Sequence, residues 1–236
     1  MTTISGTAVG SPSGITLQNL VDRAQNVLAD STASVWSEAA LKEWLNDAIR
    51  DYSIHFKRQR TATITTVADD RAYDLPSDFV AVLSVEYPTG ESVPEYLVKR
   101  PFTHGDFWDN PGYFDIVARG DDQNDSELWI SEKPANGETI TVEYEAWHDW
   151  ELTASSYVTV PAVHHHVLIA YVVWQSSLNL QMAEQQNPTS NSSLLMSQHA
   201  QNANMLRRQY LEALAKAGKA QSGQGGVVSW GQSFVY

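Results

Sequence analysis

With 236 residues, 42% of them hydrophobic, the chain has enough apolar material for one core carrying a substantial insertion, and it is short for two full domains. The absence of cysteine excludes a disulfide framework, a thiolate metal cluster and a cysteine nucleophile. A formal charge of -13 argues against general affinity for duplex DNA, which needs lysine and arginine to replace condensed counterions.

Charge is unevenly spread. Residues 1–60 carry six basic and six acidic side chains, residues 61–160 five and twenty, and residues 161–236 four and two, so near-neutral ends flank an acidic centre. The opening MTTISGTAVGSPSG has neither the basic charge nor the apolar block of a secretory signal, and no later stretch approaches ~18 uninterrupted apolar residues, so a soluble chain is expected.

Residues 1–15 read as a flexible N-terminus, and 16–60 as a helical hairpin. Thr16 can cap a first helix whose apolar face is Leu17, Leu20, Val21, Ala24, Val27 and Leu28, running to about Asp30. Ser37 can cap a second, with Glu38 in its first turn, a stripe of Leu41, Trp44, Leu45, Ala48, Ile49, Tyr52 and Phe56, and Glu38 placed to pair with Lys42. From 61 to 158 the apolar period falls to two. Strands are predicted at Thr61–Val67, Phe79–Tyr87, Tyr113–Ala118, Glu127–Ser131 and around Ile140–Ala146, separated by turn residues such as Asn110-Pro111-Gly112 and Asn136-Gly137, which gives an acidic antiparallel β insertion. Residues 159–217 read as a second helical hairpin, started by Thr159 and Pro161, interrupted at Asn187-Pro188 and stopped at Gly218. The fold class is therefore α+β: a bundle of four helices, two at each end, with an inserted β sub-domain and an extended arm at 218–236. That arm mixes Gly, Ser and Gln with Val227, Val228, Trp230, Phe234, Val235 and Tyr236. Either it folds back on its own domain or it orders against a partner, and rings near a terminus favour the partner.

No catalytic pattern emerges, and no enzyme or cofactor is expected. The consecutive His164, His165 and His166 point about 100° apart on a helix and cannot converge on one ion without ligands from elsewhere; in a symmetric oligomer they could form a pH-sensitive ring. The segment Asp121–Glu132 places Asp121, Gln123, Asp125, Glu127 and Glu132 in an EF-hand count but has Ser126 where the loop needs glycine, so a solvated acidic hairpin is favoured over a calcium site. There is no phosphate-binding glycine loop and no GxSxG elbow. The basic residues Lys57, Arg58 and Arg60, read as the end of the second helix, and Arg207 and Arg208 late in the last one, suit a helix C-terminus; they are also candidate nucleic-acid or interface contacts.

The run LKEWLNDAIRDYSIHFKRQR followed by TATITTVADDRAYDLPSDFVAVLSVEY resembles the head-to-tail adaptor family of tailed bacteriophages. The familiar features are the amphipathic WLNDAIRDYS helix (Trp44 to Ser53) and the Y-D-L-P-x-D-F turn (Tyr73 to Phe79) entering a hydrophobic strand. The resemblance implies a virion protein of the head-tail junction, assembled in the host cytoplasm, that forms a twelve-subunit ring beneath the portal protein. DNA would pass through its lumen without sequence-specific binding. It further implies an arm docking on the portal through Trp230, Phe234 and Tyr236, a β insertion facing outward or toward a downstream tail or nozzle protein, and no membrane partner. A different reading is a carbohydrate-binding module using Trp108, Trp129, Trp147 and Trp150, motivated by the aromatic density of residues 102–150.

Overall fold

The computed structural model describes residues 4–7, 14–30, 32–33, 35–119, 126–186 and 192–222. In chain order its elements are β1 (Ile4–Thr7), α1 (Leu17–Val27), α2 (Glu38–His55), β2 (Arg58–Thr65), β3 (Ala72–Asp74), β4 (Phe79–Glu86), β5 (Val98–Lys99), α3 (Asp106–Asp109), β6 (Tyr113–Ala118), β7 (Ser126–Ile130), β8 (Thr139–Ala146), a 3-10 turn (Ala162–His164), α4 (His165–Gln186) and α5 (Ser192–Ser222). The chain is of mixed α+β content and divides into two compact units: Met1–Ser11 with Lys57–Trp147, and Pro12–Phe56 with His148–Tyr236.

The helical unit is seeded by local capping. Thr16 Oγ1 accepts from the Asn19 amide, and Asn19 Oδ1 accepts from the Thr16 amide at 3.0 Å, so two orphan donors of α1 are satisfied reciprocally. Past the end of α1, the buried Asp30 carboxylate accepts from the Val35 and Trp36 amides at 3.0 and 2.7 Å and fixes the turn into α2. Ser37 then caps α2 through the Ala40 amide, and Lys42 meets Glu38 at 3.4 Å, both as the spacing predicts. Leu17, Leu20 and Val21 of α1, Leu41, Leu45 and Ile49 of α2, Val167, Leu168 and Val172 of α4, and Tyr210 and Leu214 of α5 share one core. Leu45 is fully enclosed there. Truncation to alanine is expected to cost about 2–5 kcal/mol, read as a lowered denaturant midpoint with an unchanged slope.

Two predicted ends move. The last helix does not stop at Gly218; α5 continues to Ser222, and a Cβ on Gly218 would lie 3.4 Å from the Phe56 ring. Thr159 does not cap α4, because its hydroxyl accepts from the Asp149 amide at 3.2 Å and hydrogen-bonds His148 Nδ1 at 3.1 Å. The helix is instead entered through Pro161 and the 3-10 turn.

In the β unit, two four-stranded sheets, ordered β1-β2-β8-β4 and β3-β7-β6-β5, contribute to a single core. All pairings are antiparallel except β5 with β6. Along β8, Ile140, Val142, Tyr144 and Ala146 are buried while Thr141, Glu143 and Glu145 point away, which is the period of two read from the sequence. Gly137 supplies the positive φ of 84° that its tight turn needs, where its amide donates to Thr66 O. Residues 4–7, expected as part of a flexible terminus, add a short edge strand to β2 in the register Ile4 to Ile64 through Thr7 to Thr61. That pairing is made between backbone groups, so no side-chain pattern announced it.

Candidate interaction surfaces

The two sequence runs that carry the family resemblance turn out to be tying points, one in each unit. In the helical unit, Trp44 packs edge-on against Trp36 at 5.4 Å, and Leu45, Ala48 and Ile49 enter the core. Four residues of the same run each hold another segment. Asn46 bonds the Leu152 backbone twice, at 3.2 and 3.0 Å. Asp51 accepts from the Tyr210 hydroxyl of α5. Tyr52 hydrogen-bonds His164 Nδ1 at 2.6 Å, and Ser53 Oγ accepts from the His148 amide at 3.2 Å while donating to Ile49 O. Burial pushes the phenols of Tyr52 and Tyr210 well above the ordinary range, with Asp51 adding to the latter, so both remain hydrogen-bond donors at any physiological pH.

In the β unit, the Y-D-L-P-x-D-F run buries Tyr73, Leu75 and Phe79 and aims Asp78 at three partners. Arg58 reaches the Asp78 carboxylate at 3.2 Å, Arg60 at 2.5 Å, and the Tyr144 hydroxyl donates to it at 3.1 Å. Burial and the neighbouring Asp78 push Tyr144 up to about 12. The run 57–60 therefore does not finish α2, which ends at His55; Arg58 and Arg60 lie at the start of β2, paired with Ala146 and Tyr144 of β8. Lys57 sits over the Trp147 ring at 3.6 Å, its ammonium pulled below the ordinary lysine range by burial and partly restored by Glu145. Of the candidate basic contacts, Arg207 and Arg208 on α5 are exposed, the first lying 5.9 Å from the Trp174 ring.

The histidine run is divided by its neighbours. His164 and His165 are buried and His166 is exposed. His165 Nε2 bonds Val160 O at 3.0 Å, and its Nδ1 is buried without a hydrogen-bond partner. Burial holds both His164 and His165 below the ordinary imidazole value, helped at His164 by its two histidine neighbours and at His165 by Arg23, while the Val160 carbonyl works the other way. Among the described residues no cluster of three or more His, Asp or Glu is arranged to hold a metal. Of the acidic hairpin, residues 121–125 lie outside the described residues. Glu127 accepts from Trp129 Nε1 at 2.9 Å and meets Arg119 at 2.8 Å, and Glu132 accepts from the Gly112 amide, so both are engaged in holding the β unit.

The four tryptophans proposed for sugar stacking have different neighbours. Trp108 and Trp129 cluster with Phe102 and Phe107 at centroid separations of 4.7–5.9 Å, Trp147 lies under Lys57, and Trp150 belongs to the helical unit and packs on its core. The arm residues Val227, Val228, Trp230, Phe234, Val235 and Tyr236 lie outside the described residues. What sequence reading missed is Asp78 as a hub and Tyr52 as the partner of His164; a signal for the first was present, since an acidic residue inside a recognisable turn motif, with an Arg-x-Arg pair nearby, is open to pairing.

The SU10 adaptor protein family model matches residues 15–229, and the chain belongs to that family of phage head-tail adaptors. No curated protein matches it. Among the described residues no helix is long and apolar enough to cross a membrane.

Proposed function

We propose that this chain is a structural head-to-tail adaptor of a tailed phage virion. Twelve copies form a ring beneath the portal, joining it to a downstream tail or nozzle protein and surrounding the path of the DNA. The observation that carries this reading is the family match, which covers residues 15–229. Function is then geometric, and no turnover is involved. The stretch ending in Trp230, Phe234 and Tyr236 docks on the portal, because rings inserted into apolar slots supply affinity while the Gly-Ser-Gln spacing lets each copy find its slot. The acidic β insertion faces outward, where its carboxylates keep the assembly soluble, and DNA slides past helices that do not grip it.

The test is removal of residues 223–236, which leaves α5 whole. The truncated chain is expected to keep the thermal melt of the intact chain and to lose co-assembly with portal in gradient sedimentation; truncated protein that still travels with portal overturns the assignment.

A further inference from the structure

The hairpin of α4 and α5 outruns the core that anchors it. That core takes nothing from α4 beyond Trp174 and nothing from α5 before Tyr210. About 18 Å of α4, residues 175–186, therefore extends past it alongside the first half of α5, burying little besides Ser176, Ser177 and Ala203. On this distal part Met182 is 58% exposed, Met205 51% and Leu180 39%. Leu178, Leu195 and Met196 are half-buried between them.

The composition of the same stretch is unusual for an exposed hairpin. Between Glu151 and Arg207 the only Asp, Glu, Lys or Arg is Glu184, although 18% of the whole chain is charged. Its polar residues are Asn, Gln, Ser and Thr with a few histidines, which make hydrogen bonds without carrying a permanent charge. Surface kept this free of charge, with flexible methionines exposed on it, has the make-up of an interface centre.

We infer that the distal half of the α4–α5 hairpin is a contact surface for a second copy of this chain. Charge selects the occupant. Each copy carries -13, with twenty of its carboxylates in residues 61–160, so copies meeting through that segment repel one another. A basic partner would be drawn to those carboxylates and away from this hairpin. Identical acidic chains approach most cheaply through their neutral surface, and Asn and Gln from each supply the hydrogen bonds across it. The inference deepens the ring reading proposed above by naming the surface through which neighbours touch.

The test is sedimentation equilibrium of the full chain up to about 1 mM, where even weak contacts register, for the natural sequence, for Met182→Glu with Met205→Glu, and for Val93→Glu as an exposed control on the β unit. Helical content and melting temperature confirm that each variant folds. Self-association is expected in the natural chain, weakened at least tenfold by the paired hairpin substitutions and unchanged by the control. The chain lacks cysteine, so Met182→Cys adds a single maleimide site whose labelling should slow as concentration rises. A natural chain that stays monomeric throughout, or an association that ignores the hairpin charges, overturns the proposal. Co-assembly of the tail-truncated chain with portal would count against the portal-docking role of the arm and leave this inference standing.

Discussion

Asp78→Ala is expected to destabilise the β unit by about 3 kcal/mol, seen as a fall in denaturant midpoint. The carboxylate serves Arg58, Arg60 and the Tyr144 hydroxyl together, with the three charged side chains only 16–22% exposed. Removing it leaves two cations confined near each other and a buried hydroxyl unsatisfied, and the loss of one member of a largely enclosed ion cluster costs far more than the loss of a surface pair. Asp78→Asn should fall between, because the amide oxygen can still accept a hydrogen bond while the charge is gone. If the Asp78→Ala chain unfolds at the natural midpoint, the cluster contributes nothing net and its geometry is incidental.

Acid should loosen the helical unit before the carboxylates are protonated. His164 and His165 both titrate below the ordinary 6.5 in the folded chain, chiefly because burial disfavours the imidazolium. The unfolded chain therefore binds protons near pH 6.5 that the folded chain declines, and stability, complete above that pH, falls as pH drops below it until the folded groups themselves titrate. The slope cannot exceed about 1.4 kcal/mol per pH unit for each such proton. Tyr52 and Phe56 pack on His164, which also feels His165 and the exposed His166, and His165 feels Arg23; none of these is a carboxylate able to compensate an imidazolium there. His164→Gln and His165→Gln should each flatten the slope between about pH 6.5 and 5, measured by denaturation at fixed pH intervals. A pair of variants with the acid sensitivity of the natural chain would move the origin of that sensitivity elsewhere.

Much of the architecture was legible because its signals are local. The caps at Thr16 and Ser37, the stripe from Leu41 to Tyr52 and the alternation along β8 each depend on residues within one turn or one strand, and they fall where the spacing puts them. The errors cluster where a distant partner decides. The residues after His55 continue a helical sequence with good C-terminal chemistry, yet pairing with β8 and the pull of Asp78, twenty and eighteen positions away, draw Arg58 and Arg60 into a strand. Thr159 is a plausible cap on its own and is instead spent on His148. The edge strand β1 and the two-residue β5 lack any side-chain period, being defined by backbone bonds to β2 and β6. Likewise nothing in three consecutive histidines says that two are enclosed and one is not, because that depends on Tyr52 and Val160 folding over them. The motif residues that signalled the family were read as markers; their work is to tie segments together, which a single sequence cannot reveal.

The inserted stretch of the β unit, Lys57–Trp147, begins and ends at neighbouring points: Lys57 rests on Trp147, and Arg58 is directly paired with Ala146. A stretch of ninety-odd residues is thus closed at its two ends by paired backbone. Whatever lies distal to that closure can lengthen, shed loops or change its surface charge over evolutionary time, because the closure keeps the entry and exit strands in register.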